Sequence, residues 1–530
     1  MSKVVLLAIN SKYVHSALSV WLLAEGVARY AQTPHDVEII EATIQQHDSD
    51  IAANVTAHRP DVIGISTYIW NANKLLGLLK LLREQSPQSI IVLGGPEASY
   101  NADYWLEHGA DYVFHGEGER QFPVFLDNLS SKTSTIDAKQ IYPIDISMSD
   151  PYSQTYISTL KNRLAYLETS RGCPYRCAFC LSGGSKLQFF PIEAAKEQML
   201  KLSHSGAKTV KLIDRTFNCD PQRAYELFEY VIALETDGCF HFEVAADLFD
   251  KSTLKLLSTA PPGRIQFEAG LQSYHKPTLQ AVSRKADLDK ADENIRTLLS
   301  TGNIHIHVDL IAGLPYETLP IFQDSFDRAY KLGAHDLQLG FLKLLHGSTL
   351  RKQAAELGIQ YQEAPPYEII CSPWLSADDI RILKQTENAL RHTNNKGRFL
   401  SAIKYVLPVS GMRPFALFQR LGAFVENHGL PLEVYAKMVH DCFITISGVH
   451  EGELHKSMIC DWLAMVRGKN MPPFLRRPDN KRKQVIAAVE KKFGRVIGRE
   501  EVAVLPSGEW VFVDVCDRDV VTGLYTLHWL

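Results

Sequence analysis

Short runs of β-branched residues alternate with amphipathic helical stretches from Val4 onward, and the alternation occurs as two separate series. That alternation is the mark of parallel strands joined by helices. The first series predicts five strands, Val4–Ile9, Val37–Glu41, Val62–Ser66, Ile90–Leu93 and Tyr112–Phe114, with helices such as Ser16–Tyr30 and Ala72–Arg83 between them. A doubly wound α/β sheet follows, in which ligands bind beyond the carboxyl ends of the strands, near the point where strand order reverses. The residues at those ends include Asn10 to His15, Ser66-Thr67, Gly94-Gly95-Pro96 and Gly116-Glu117-Gly118-Glu119.

The stretch 131–155 is rich in Ser, Thr, Asp and Lys and reads as a linker. The second series then predicts strands at Ala165–Ser170, Thr209–Ile213, His241–Ala246, Arg264–Gly270, Ile304–Ile311 and Leu337–Phe341. Six such units, with candidate site residues converging after the strands, fit a partial (β/α)6 barrel over 156–372 better than a second flat sheet. From 373 to 530 the pattern is mostly helical, clearest at Ala377–Arg391 and Val485–Phe493, with a hairpin or small sheet around Pro506-Ser507-Gly508. Three parts suit a chain of 530 residues.

A net charge of -4 carries no global sign of nucleic-acid or membrane binding. No apolar run reaches the roughly 18 residues of a membrane helix, and Val4–Ile9 is too short for a signal peptide and suits a buried strand. A cytoplasmic protein without membrane contact is expected. Nine cysteines, an odd number in a long chain, argue for reduced thiols rather than a disulfide framework.

The cysteines are unevenly placed. None precedes Cys173, and then Cys173, Cys177 and Cys180 fall within Ser-Arg-Gly-Cys-Pro-Tyr-Arg-Cys-Ala-Phe-Cys. Tight spacing lets three thiolates reach three irons of one cluster and leaves the fourth iron open. Zinc sites more often carry paired CxxC units with a further Cys or His nearby, and this region has neither. The other six cysteines lack paired spacing and read as buried residues.

With Phe179 just before its last cysteine, the loop resembles that of the radical S-adenosylmethionine (SAM) superfamily. The resemblance implies that Cys173, Cys177 and Cys180 hold a 4Fe-4S cluster and that SAM chelates the remaining iron. Reduction would then cleave SAM to methionine and a 5′-deoxyadenosyl radical, with flavodoxin or ferredoxin as the type of electron donor. Later segments resemble the superfamily's barrel motifs: Leu212 to Phe217 with Asp214, Glu268 to Ser273 with Gln272 and Ser273, Asp309 to Thr318 with Gly313, and Phe341 to Thr349. Phe179, Asp214, Gln272, Ser273 and Gly313 are thereby the expected SAM-site residues.

The first series lacks GxGxxG after its first strand, which argues against a dinucleotide. Placed before such a barrel, it resembles the flavodoxin-like, cobalamin-binding domain of the superfamily's cobalamin-dependent branch. Ser66, Thr67, Gly94, Gly95, Gly116, Glu117 and Gly118 are the expected cobalamin contacts. His15 departs from the DxHxxG pattern that supplies a lower cobalt ligand, since Tyr13 and Leu18 stand at the Asp and Gly positions. Methylthiotransferases would need cysteines in this domain, and it has none. The C-terminal part resembles an extension of uncertain function found in some members of the branch.

Asp247, Glu243 and Glu268 suit polar contacts or acid/base roles, or else ion pairs with Arg215, Arg264 or Lys211. Tyr68 and Trp70 cover a corrin face or close a core. The basic run from Arg467 to Lys483 is a solvated face or a contact for an anionic substrate or RNA. The expected activity is methylation of an unactivated carbon of an unknown substrate. The alternatives are oxidation, cyclisation or rearrangement without methyl transfer, a radical enzyme acting on RNA, and a non-catalytic cobalamin carrier or sensor.

Overall fold

The computed structural model describes residues 2–131, 146, 149–425 and 429–530. Most of the expected linker, 132–145 and 147–148, lies outside the described residues. The chain divides into two compact units. One comprises Met1–Leu248, Val282–Lys285 and Leu342–Ile370, and the other Phe249–Ala281, Ala286–Phe341 and Cys371–Leu530.

In the first unit, β1 (Lys3–Asn10), β2 (Asp36–Thr43), β3 (Val62–Ser66), β4 (Ile90–Gly94) and β5 (Tyr112–Val113) form one parallel sheet in the order β2-β1-β3-β4-β5. All five expected strands are present. Alternate β1 residues enter opposite cores: Val5, Leu7 and Ile9 pack with the helix Ala72–Gln85, and Val4, Leu6 and Ala8 with Val20 and Phe122. Burial on both faces explains why the strand reads as an unbroken apolar run. Order reverses between β1 and β3, which places the ends of β3, β4 and β5 to one side of the switch point.

The same unit holds three parallel strands of the second series, Leu164–Leu167, Thr209–Leu212 and Phe240–Val244. The first ends earlier than the sequence pattern implies. Ser170 and Arg171 leave it and pair antiparallel with Phe189 and Gln188.

The second unit holds the remaining three, Ile265–Gln272, His305–Ala312 and Asp336–Phe341, all parallel. Its C-terminal part is helical, beginning with Ala377–His392, whose N-terminus carries a Ser376/Asp379 capping box. Helices Leu400–Ser410, Pro414–Phe424, Leu432–Ile444, Glu451–Met465 and Arg482–Phe493 follow. The expected terminal hairpin is a three-stranded antiparallel sheet of Val502–Val504, Trp510–Arg518 and Tyr525–Trp529, closed on Val489 and Ile497. All nine cysteines are free, and no described helix is long and apolar enough to cross a membrane.

Candidate cluster and cofactor site

Backbone approach explains the residue before the first cysteine. Gly172 has φ +86°, and a Cβ there would lie 2.2 Å from the Lys186 carbonyl oxygen, where the two-stranded ladder closes. Only glycine satisfies both conditions without displacing backbone. Farther along the loop the Ala178 amide donates to the Val282 carbonyl (2.9 Å), the Ala178 carbonyl accepts from the Leu350 amide (2.8 Å), and the Cys180 amide donates to the Cys177 carbonyl (3.0 Å). The loop is thus held through its main chain, leaving the thiols to other partners.

Cys173 and Cys177 are buried and Cys180 is half-buried. Burial pushes the Cys177 thiol up, Arg284 opposes this with Nη1 3.9 Å from Sγ, and Cys180 and Cys173 raise it further. Cys177 thus lies within the field of both other thiols of the loop. Cys219 also enters this field. Its thiol is pushed up to about 11 by burial first and by Cys173 second. Phe179 is half-buried beside the last cysteine.

Asp214 is 1% exposed and faces the approach to the loop. It accepts from the Thr169 amide (3.0 Å), the Thr169 hydroxyl (2.7 Å) and the Ser170 hydroxyl (2.6 Å). These bonds draw residues 169 and 170 off the line of Leu164–Leu167, which accounts for the early strand end. Arg171 donates to Glu119 (2.5 Å) and Glu168 (2.9 Å) and lies 3.5 Å from Glu117. Burial lifts the Glu168 carboxyl to about 7 despite Arg171. The Gly-Glu-Gly-Glu turn after β5 is thereby tied to the residue two before Cys173.

The ends of β3 and β4 meet directly. The Thr67 amide donates to the Gly94 carbonyl (2.7 Å), and a Cβ on Gly95, at φ +96°, would lie 2.6 Å from the Thr67 carbonyl oxygen. Thr67 is fully buried, yet its hydroxyl has no hydrogen-bond partner, and a Cβ at Gly94 would meet nothing within 4 Å. A partnerless buried hydroxyl beside open space suits a ligand, because the bare group would otherwise cost about 1–3 kcal/mol. Gly118 serves packing, since a Cβ there would lie 2.8 Å from Leu23. Ser66 is buried, while Gly116 and Glu117 stand on the turn after β5.

In the second unit the register slips between Gly270 and Gln272 in the strand Ile265–Gln272, and Gln272 has φ +69°. Its side-chain oxygen is buried without a partner. Ser273 is fully buried and donates its hydroxyl to Glu317 (2.5 Å), which also accepts from Ser325 (3.1 Å). Burial lifts the Glu317 carboxyl to about 7, against the two hydroxyl bonds. Gly313 has φ +97° at the end of the next strand.

Other expectations resolve locally. His15 shares a 2.6 Å hydrogen bond with the Tyr166 hydroxyl, and Lys211 pairs with Glu243 at 3.8 Å. Tyr68 and Trp70 stack at 4.3 Å, with Trp70 46% exposed. Within the basic run, Arg476, Arg477 and Arg482 bond to the chain's own Met471, His455 and Asp479. Arg284 was not singled out from the sequence, because no spacing signals an approach from so far along the chain, while Thr216 (3.9 Å from Cys173 Sγ) and Glu317 lay within the motif segments without an assigned role. Arg171 was visible only as part of the Ser-Arg-Gly-Cys string.

Three families match successive parts of the chain: B12 binding domain over residues 4–126, Radical SAM superfamily over 167–329, and a protein of unknown function (DUF4080) over 355–501. The 2-(S-pantetheinyl)-carbapenam-3-carboxylate methyltransferase of Streptantibioticus cattleyicolor is 26% identical over 325 residues, covering 54% of this chain and 47% of that protein. Cobalamin-dependent radical SAM methyltransferase TokK of Streptomyces tokunonensis is 26% identical over 329 residues, covering 55% and 48%. The chain thus spans about half the length of these curated relatives. Among solved structures, the cobalamin-dependent SAM radical enzyme OxsB, with aqua-cobalamin and SAM bound, superposes with a TM-score of 0.62 at 14% identity, covering 94% of this chain and 82% of that one. The chain thus joins a segment matching the B12 binding domain to one matching the Radical SAM superfamily, and over both it is similar to methyltransferases, among them the cobalamin-dependent radical SAM methyltransferase TokK.

Proposed function

We propose that this chain is a cobalamin-dependent radical SAM methyltransferase acting on an unactivated carbon. One observation carries the reading: a three-cysteine loop and a doubly wound domain with an open ligand edge at Gly94 and Thr67 belong to one compact unit. When bound, the cluster supplies the electron that cleaves SAM and cobalamin supplies the methyl group.

The chain's own residues hold and orient. Cys173, Cys177 and Cys180 would ligate three irons, with Phe179 shielding the last of them. Asp214, with its carboxylate taken up by Thr169 and Ser170, would position the loop rather than touch SAM. In the second unit, the side-chain oxygen of Gln272, buried without a partner, would be available to SAM, while Gly313 turns the chain at a neighbouring strand end and Ser273 steadies that segment through Glu317. Ser66, Thr67, Gly94, Gly95, Gly116 and Glu117 would receive cobalamin, with Gly118 setting the turn against Leu23. A small flavodoxin or ferredoxin would serve as electron donor in the cytoplasm.

The test is mass spectrometry of products from anaerobic protein reconstituted with iron, sulfide and cobalamin, then given SAM and a strong reductant. S-adenosylhomocysteine together with 5′-deoxyadenosine is the expected outcome. Replacing Cys173, Cys177 and Cys180 by Ala should abolish 5′-deoxyadenosine and the cluster's visible absorbance while cobalamin is still bound. 5′-Deoxyadenosine without S-adenosylhomocysteine would replace methyl transfer by another radical reaction. Neither product from protein with an intact cluster would favour a cobalamin carrier or sensor.

A further inference from the structure

Three potential metal ligands meet in the second unit, at the amino-terminal ends of the strands His305–Ala312 and Asp336–Phe341. His305 and His307 are two residues apart on one strand and so share a face. Asp336 is the register partner of His307 on the neighbouring strand. Asp336 Oδ2 lies 2.9 Å from His307 Nε2 and 3.5 Å from His305 Nε2, and the three ligand atoms all lie within 4.8 Å of one another. Two imidazole nitrogens and a carboxylate oxygen around one tetrahedral ion, with bonds near 2.0–2.1 Å, would stand about 3.3 Å apart. The observed pair of separations brackets that value.

Proton placement sharpens the case. His305 Nδ1 lies 2.7 Å from the Val521 carbonyl oxygen, which can only accept, so Nδ1 carries a proton. Its Nε2 then turns toward a carboxylate, another acceptor. Either a second proton on the ring or a cation must lie between them. A histidine whose far nitrogen donates to a carbonyl, with the near one toward a shared centre, is oriented as a metal ligand usually is.

The surroundings tolerate an ion. Side-chain exposures of 16% for His305, 25% for His307 and 22% for Asp336 leave the group withdrawn yet reachable. Beside it is a cavity of about 320 Å³, lined in part by His307, Asp336, Gln338, Glu387 and Arg391, with room for a water as fourth ligand. His335 stacks on His305 at 4.6 Å and its Nδ1 accepts from the Ile306 amide (3.1 Å), so this ring is held beside the group by its own contacts.

We propose that His305, His307 and Asp336 form a binding site for one divalent transition-metal ion of the zinc type, separate from the cysteine loop. The ion would tie two strands to the Val521 segment, near the C-terminal sheet. Imidazole with carboxylate suits zinc, iron(II), nickel or copper better than calcium or magnesium. Binding would displace any proton held between the ring nitrogens and the carboxylate, so affinity should weaken as pH falls.

The test uses the full chain and Zn²⁺ alone, titrated by calorimetry in parallel with His307→Gln and Asp336→Asn chains. The wild-type chain should take up about one more equivalent than either variant, whatever the cysteine loop holds, with affinity at that site reduced more than about 100-fold in the variants. Far-ultraviolet circular dichroism without metal establishes that the variants are folded. Identical stoichiometry and affinity in folded variants would overturn the site. Should the variants not fold, anomalous diffraction at the zinc edge from wild-type crystals decides: a peak among the three side chains supports the site, and its absence removes it.

Discussion

At the scale of single residues, the buried acids set how the chain responds to pH. Glu317 titrates at about 7 against an ordinary 4.5 because burial disfavours its charged form more than Ser273 and Ser325 stabilise it. The folded state therefore holds this proton over a range where the unfolded chain has lost it. The associated stability is complete below pH 4.5 and is lost as pH rises through about 7. Glu317→Gln should remove this contribution, up to about 3 kcal/mol between pH 4.5 and 8, as measured by urea unfolding at several pH values. Glu168, also at about 7, acts in the same direction, whereas His335 and His346, lowered to about 4 by burial, act oppositely, so the difference between the two chains isolates Glu317. A stability difference between the wild-type and Glu317→Gln chains that stays constant from pH 4.5 to 8 would contradict the assignment.

Elements are placed by close approaches that local pattern cannot reveal. Gly26 sits within the helix Leu18–Tyr30, where glycine is otherwise unfavourable. A Cβ there would come 2.1 Å from the Glu119 carbonyl oxygen, which is main chain and cannot swing aside. The helix and the Gly-Glu-Gly-Glu turn are therefore in backbone contact, and Glu119 in turn holds Arg171 beside the cysteine loop. Gly26→Ala should destabilise the chain by about 3 kcal/mol in chemical denaturation. It should also lower the iron retained after reconstitution, because the turn anchors Arg171. A neutral Gly26→Ala would show that helix and turn separate freely.

At the scale of the molecule, the first compact unit joins the N-terminal sheet to three strands of the second series. Arg163, just before the strand Leu164–Leu167, donates to the Tyr13 carbonyl (3.0 Å), the His15 carbonyl (2.5 Å) and Glu41 on β2 (2.5 Å). With side-chain exposures of 7% and 13%, the Arg163–Glu41 pair is almost fully desolvated. Arg163→Ala would leave the Glu41 carboxylate without its cation, held only by Asn10 (2.9 Å) and Trp21 (3.2 Å), and should cost about 3 kcal/mol. Thermal unfolding of wild-type and variant chains checks this, and a shift in midpoint no larger than for an exposed Arg381→Ala control would refute it. The two strand series thus meet through charge, although the sequence reads them as separate domains flanking a linker.

Strands, helices and the cysteine loop were legible without coordinates because each depends on residues close in the chain. A period of two or 3.6 marks which face is apolar, and CxxxCxxC brings three sulfurs together on one loop. The early end of Leu164–Leu167, the charge network on Arg171 and the His305/His307/Asp336 group were not legible. Each joins side chains tens of positions apart, as Thr169 and Asp214 are, and no local period encodes which distant partners will share a buried space. Covalent neighbours decided the elements and the cysteine loop, whereas folding decided which polar groups were desolvated, which found partners, and which, like the Thr67 hydroxyl, were buried without one.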